Sequence, residues 1–308
     1  MLRHGMSAEQ NNATSAPSSV GLVRALNRAV RFAFESTAIY RILYGSCPII
    51  RSIEDFWQLP VLTEVTMREH ANGLLDCLSS KAFSGDDGIL DVTTPLDKKR
   101  QGFPFSVAEN NHDFQRRYAR VHGILTYAGV NDNDRLLIVC DCDNIYFASD
   151  LEDVLTKWSV TIIVRDQLPA PQLAQRANQA APDCIILATR RSFGAEIIPA
   201  SCRIVVTFMG RHEFPSETKY QTTDVCTESF FPWLAARRVN EEFYLTNEIY
   251  SGGIACPQVY IESAGNQRVN LTNLFPNREK PLMPLIRYAA SGRGCRVVGD
   301  RFLPPEGS

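Results

Sequence analysis

Arg135-Leu-Leu-Ile-Val-Cys140, Val160-Thr-Ile-Ile-Val164, Asp183-Cys-Ile-Ile-Leu-Ala-Thr189 and Arg203-Ile-Val-Val-Thr-Phe208 are four short apolar runs spread along residues 135–208. Each is rich in β-branched residues and too short for a helix, so each reads as a buried strand. The stretches between them, around 148–157 and over 171–180, carry helical patterns, and a further helix is expected after Thr189. Strand–helix–strand alternation of this kind builds a parallel sheet covered by helices, because a parallel crossover needs a long return path.

Upstream of these strands the pattern is helical. Leu22, Ala25, Leu26, Ala29, Val30, Phe32, Ala33 and Ile39 recur at helical spacing, so one or two amphipathic helices occupy 20–44. Ser52 precedes Ile53-Glu54-Asp55-Phe56-Trp57 as a capping serine before a first turn with two acids. That helix stops at Leu59-Pro60, and Thr63 caps another. Asp113 to Tyr127 places Phe114, Tyr118, Val121 and Leu125 on one stripe, and Gly129 ends the helix. Downstream, Val259-Tyr-Ile-Glu262, Val269-Asn-Leu-Thr-Asn-Leu274 and Leu285-Ile-Arg-Tyr288 read as antiparallel β. The fold class is therefore α/β: a mostly parallel sheet flanked by helices, with a smaller antiparallel β region near the C-terminus.

The chain has 308 residues, 44% hydrophobic and 21% charged, enough to bury a sizeable core. Net charge is −2 and no basic run exceeds Lys98-Lys99-Arg100, which argues against a nucleic-acid surface. No apolar stretch approaches a membrane span. Residues 1–19, rich in Ser, Asn, Ala and Gln without an apolar segment, read as a disordered leader, and 20–308 as one folded domain. Nine cysteines without a Cys-x-x-Cys pair suit a reducing, cytoplasmic setting in which thiols act as small buried apolar groups.

Several motifs, in this order, resemble the adenylate-forming enzymes, and specifically their phenylacetate–coenzyme A ligase branch. Ser52-Ile53-Glu54-Asp55-Phe56-Trp57-Gln58-Leu59-Pro60-Val61-Leu62-Thr63 looks like that branch's N-terminal signature. The helix 113–128 with Ala128-Gly129-Val130-Asn131-Asp132-Asn133-Asp134 looks like the helix and turn after its phosphate loop. Phe243-Tyr244-Leu245-Thr246-Asn247-Glu248, followed by Gly253-Ile254-Ala255-Cys256-Pro257, is similar to its adenine and magnesium motif. Pro284-Leu285-Ile286-Arg287-Tyr288 resembles its ribose-binding strand, with Ala290-Ser291-Gly292 where the family has Thr-Gly-Asp.

The resemblance implies activation of a small carboxylic acid, aromatic in this branch, by ATP and Mg2+. An acyl-adenylate forms first and is then passed to a thiol or amine. It implies Glu248 as the magnesium carboxylate, with Glu248, Lys98 and Arg287 as the catalytic set. Thr93, Thr94 and Lys99, with Lys98 and Arg100, stand at the phosphate loop; a solvated surface loop is the other reading of those residues. Tyr244, Thr246, Asn247 and Gly210 stand at the nucleotide, and Arg287 would support the ribose strand or a phosphate. Cys256 and Cys295 match two positions of a zinc site found in some members, but two thiolates cannot complete it, so no zinc is expected.

The family's C-terminal lid is expected to be absent, since the chain ends near the hinge at Gly299-Asp300-Arg301. Transfer would then need an acyl-accepting partner protein, and a second copy of the chain could cover the cleft mouth as a homodimer. A second reading stays open: a catalytically degenerate homologue that binds an acyl or aromatic ligand, or a partner protein, without ATP chemistry.

Overall fold

The computed structural model describes residues 19–70, 74–80, 91–93, 107–140, 160–164, 168–189, 191, 193–208, 219–228, 231–241, 244–245, 259–263, 269–275, 280–289, 296–298 and 301–303. The N-terminal amphipathic stretch forms two helices, α1 (Ser19–Ser36) and α2 (Ala38–Tyr44), because Thr37 at φ −125° breaks the helical run. Helix α3 (Ile53–Trp57) begins at Ser52, whose Oγ accepts from the Asp55 amide at 3.1 Å. Helix α4 (Glu64–His70) begins the same way, with Thr63 Oγ1 accepting from Thr66 N at 3.0 Å, and α5 (Leu74–Cys77) is a single turn. Both capping residues are those the sequence singled out.

Helix α6 (Asn111–Tyr127) starts two residues before the expected Asp113. Asn110 is the reason: its Oδ1 accepts from Asp113 N at 3.0 Å while Asp113 reaches back to the Asn110 amide, a reciprocal cap. Gly129 at φ +89° turns the chain away after α6. Short strands β1 (Asp91–Thr93) and β2 (Val107–Glu109) pair antiparallel.

The central sheet has six strands: β3 (Arg135–Cys140), β4 (Val160–Val164), β5 (Cys184–Ala188), β6 (Ile204–Phe208), β7 (Gln221–Glu228) and β8 (Phe231–Arg238). Their order is β4-β3-β5-β6-β7-β8, parallel through β7, with β8 antiparallel at the edge. Helix α7 (Ala170–Ala180) follows β4 as expected, and the helix expected near 148–157 lies outside the described residues. The helix expected after Thr189 is a single 3-10 turn, Ala195–Ile197, confined between Gly194 and Pro199.

The antiparallel region contains β9 (Val259–Ser263), β10 (Val269–Asn273) and β11 (Tyr288–Ala289) in the order β11-β10-β9, with a separate pair, β12 (Arg296–Val298) and β13 (Arg301–Leu303). The strand expected over Leu285–Tyr288 is shortened to its end. Arg287 at φ +48° cannot continue an extended backbone.

Three cores follow from these layers. Val121, Ile124 and Leu125 of α6 pack on one face of the central sheet with Ile186, Val206 and Trp233. Leu173 and Ala177 of α7 pack on the other face with Ile185 and Val205. The third core joins Leu26 and Val30 of α1 and Ile39 and Tyr40 of α2 to Leu271, Ile286 and Tyr288 of the antiparallel region, and it includes Leu234, Ala235 and Tyr244. Among the described residues no helix is long and apolar enough to cross a membrane.

Candidate functional site

The strand order reverses between β3 and β5: the chain leaves β3 toward β4 on one side and returns to β5 on the other. In open parallel sheets the crevice beyond the carboxyl ends at such a point is where ligands bind. The lip of this crevice is pinned. Thr189 Oγ1 accepts from Arg191 N at 3.1 Å, and Arg191 Nη1 donates to Leu168 O at 2.7 Å while its guanidinium lies 5.0 Å from the Phe193 ring centre.

Further along the sheet a row of polar residues crosses three strands. Thr207 on β6 stands opposite Asp224 on β7, and Asp224 stands opposite Arg237 on β8, so their side chains share one face. That face is opposite α6, whose core takes the alternate residues Val206, Val225 and Ala236. Asp224 is 2% exposed, and Thr207 Oγ1 donates to its Oδ1 at 3.2 Å. The Tyr244 hydroxyl donates to its other oxygen, and Arg237 Nε lies 3.9 Å from that same oxygen. The Arg237 guanidinium in turn lies 5.0 Å from the centre of the Tyr244 ring. Burial first, and then the neighbouring Asp224 charge, push the Tyr244 phenol well above its ordinary range, so it is a fixed donor. Mutual bridging of Ala236 and Leu245 backbones, at 3.0 and 2.8 Å, holds the start of the 244–248 motif against β8.

Arg287 is the second centre. Its Nε lies 3.0 Å from both carboxylate oxygens of Glu262 on β9, its Nη2 donates to Glu262 Oε1, and its Nη1 donates to Trp57 O at 2.7 Å and to Leu59 O. All three guanidinium nitrogens are thus engaged by protein acceptors. The Arg287 amide donates to Thr272 Oγ1 at 2.8 Å, and Asn270 Nδ2 donates to Glu262 Oε1 at 2.8 Å. The pair is buried, with side chains 9% and 4% exposed, so the network satisfies charges that would otherwise be costly. Its effect is to tie the end of α3 to the antiparallel sheet, reinforced by Leu62 N donating to Arg287 O at 3.1 Å and Ala289 N donating to Leu62 O at 2.9 Å.

Of the sequence-derived candidates, Thr93, Tyr244 and Arg287 are described. Tyr244 shares one apolar core with Ile286 and Tyr288, the neighbours of Arg287. Thr93 closes β1, opposite Val107. Thr94, Lys98, Lys99, Arg100, Gly210, Thr246, Asn247 and Glu248 lie outside the described residues, as do Cys256 and Cys295. Among the described residues no group of three or more His, Cys, Asp or Glu could hold a metal ion. Sequence reading missed Asp224 and Glu262. Neither has a local signal, because each acquires its role from a cationic or phenolic partner on another strand or loop.

No protein-family model matches the chain, and no curated protein is similar to it in sequence. Solved structures are similar in shape. A 2-hydroxyisobutyryl-CoA ligase, in complex with 2-HIB-AMP and CoA, superposes with a TM-score of 0.60 at 14% identity, over 93% of this chain and 66% of that one. The chain shares its fold with that part of this ligase. An O-succinylbenzoate coenzyme A synthetase from Bacillus subtilis in complex with AMP is more distant, with a TM-score of 0.42 at 14% identity over 71% of this chain and 49% of that one. The E. coli protein MenE gives 0.43 at 13% identity over 71% and 48%. The chain therefore spans just under two thirds of the first of these proteins and about half of the others.

Proposed function

We propose that this protein activates a small carboxylic acid with ATP, forming an acyl-adenylate in the cytoplasm as one step of a biosynthetic route. The observation that carries the reading is the fold shared over 93% of the chain with a ligase whose structure holds an acyl-adenylate and CoA. In the proposed reaction a carboxylate oxygen of the acid attacks the α-phosphorus of ATP. The bond between the α- and β-phosphates breaks, pyrophosphate leaves, and a mixed anhydride remains.

Tyr244, Thr246, Asn247 and Gly210 would border the nucleotide, and Thr93, Thr94, Lys98 and Lys99 its phosphates. The buried Asp224–Tyr244 pair would hold the start of the 244–248 segment in register. Arg287, its donors committed to Glu262 and the end of α3, would support the ribose strand. Mg2+ is commonly held by one or two protein carboxylates together with substrate phosphates, and Glu248 supplies a carboxylate of that kind. Bound there, it would neutralise phosphate charge. In the branch that the motifs resemble the acid is aromatic; the acyl acceptor would be a thiol or amine, carried by a partner protein or reached across a dimer.

The test is acid-dependent exchange of labelled pyrophosphate into ATP, run over a panel of aryl and short aliphatic acids, alongside calorimetry with Mg-ATP. Exchange with at least one acid, abolished in Glu248→Ala, is the expected result. No exchange and no nucleotide heat at millimolar ATP would overturn it and favour a homologue that binds an acyl ligand or partner without ATP.

A further inference from the structure

Helix α1 lines a groove of about 460 Å3, a volume within the range of small-ligand sites, and neither Tyr244 nor Arg287 is among the described residues that border it. Arg24, Arg28 and Arg31 stand along it at helical intervals of four and three, a row ~10 Å long on one helix face. Lys280 faces the same groove from the antiparallel region. Among the described residues of the lining, four cations thus meet one carboxylate, that of Glu35, in a chain whose net charge is −2.

The groove is preorganised. Arg28 Nε donates to Phe275 O at 3.1 Å, which anchors its guanidinium while leaving both Nη groups as donors. Lys280 O accepts from Asn110 Nδ2 at 2.9 Å, which fixes the backbone of Lys280 against the start of α6. Asn27 uses Oδ1 to accept from Ile50 N at 3.3 Å, so its NH2 group adds a further donor to the lining. Arg31 meets Glu35 only at 3.6 Å, with side chains 72% and 43% exposed, a weak pair that an anion can replace. Among the described residues neither Arg24 nor Lys280 has a carboxylate partner. The floor is the T-shaped pair Phe32 and Phe275, rings 5.2 Å apart, both buried.

We infer that this groove is a binding site for a small polyanion bearing several phosphate groups. Three arginines in a row offer forked donors that match phosphate oxygens, and the spacing of the row demands charge at more than one point of the ligand. The aromatic floor is itself buried, so the groups that reach a ligand are the four cationic side chains above it, which favours a compact anion over a protein segment. This inference is independent of the proposed acid activation, since it uses different residues.

Calorimetric titration with inorganic tripolyphosphate at low salt tests it, on wild type, on Arg24→Gln/Arg31→Gln and on Lys280→Gln. Wild type should bind in a salt-sensitive manner, and the double variant should bind about tenfold or more weakly, as expected for lost charge-assisted contacts. Lys280→Gln should show a smaller loss. Arg24 and Arg31 are exposed, so the double variant should keep its melting temperature. Unchanged binding in both variants would place the anion elsewhere, and absence of heat in wild type at millimolar tripolyphosphate would remove the site. Tighter binding of a hexaglutamate peptide than of tripolyphosphate would overturn the inference in favour of an acidic protein partner. Acid-dependent pyrophosphate exchange, if present in wild type, should persist in the double variant, so the two proposals fail separately.

Discussion

Arg287 and Glu262 form a buried ion pair that joins α3 to the antiparallel sheet, and Arg287 holds that place with its backbone at φ +48°. A non-glycine residue in this region is strained, and here the surrounding hydrogen bonds enforce the geometry. Removing either partner leaves the other charge buried and unpaired. Arg287→Ala or Glu262→Ala should each destabilise the protein by about 3–5 kcal/mol, measured by urea denaturation. Arg287→Lys should recover only part of the loss, because an ammonium cannot reach Glu262 and the carbonyls of Trp57 and Leu59 together. Full stability in Arg287→Ala would show that the clamp contributes nothing.

Tyr244 donates to Asp224 in a setting nearly closed to water. Tyr244→Phe removes that donor and should cost about 1–3 kcal/mol of stability. If the 244–248 segment borders a nucleotide, the same variant should weaken ATP binding. Thr207→Val, which removes the donor to the other carboxylate oxygen, should cost stability and leave nucleotide affinity as it was. Equal ATP affinity in wild type and Tyr244→Phe would separate this pair from any nucleotide site.

Asn110 has two tasks: it caps α6 through Oδ1 and holds Lys280 O through Nδ2. Asn110→Ala should therefore cost more than an ordinary cap, about 2 kcal/mol, where Asn110→Asp should keep the cap and lose only the second bond. Thermal denaturation of the two variants in parallel checks the order.

Stability should fall at high pH. Burial pushes the Cys77 thiol from 9.0 up to about 12 and the Cys202 thiol to about 11, and it also lifts Cys184 and Tyr244. Each of these groups holds its proton more tightly folded than unfolded. Their contribution is complete below pH 9 and is lost as the unfolded chain ionises between pH 9 and about 12, by ~1.4 kcal/mol per pH unit and group. Urea midpoints at pH 8, 9.5 and 10.5 should decline in that order. Cys77→Ala should be less stable at pH 8 yet show a shallower decline.

Gly129 turns the chain at φ +89°, and a Cβ there would meet only Ile204 Cδ1 at 3.7 Å. The cost of Gly129→Ala is then conformational, roughly 1–2 kcal/mol, without a clash. A larger loss in differential scanning calorimetry would point to crowding against β6.

Local sequence determined much of the fold. The apolar runs at 135–140, 160–164, 183–189 and 203–208 became parallel strands, and for β3, β5 and β6, which are buried on both faces, no partner-specific pattern is needed. Ser52, Thr63 and Gly129 acted through bonds and dihedrals within a few residues, so their roles were legible too. Strands β7 and β8 were not, because Thr222, Thr223, Asp224, Arg237 and Arg238 interrupt any apolar pattern, and the burial of Asp224 depends on partners across strands. Nor could the sequence foretell that Arg287 delays its strand until Tyr288, or that its charge is taken up by Glu262, 25 positions away. Short-range hydrogen bonding and hydrophobic periodicity are written along the chain. Which buried charges meet is decided only when distant strands come together and water is excluded between them.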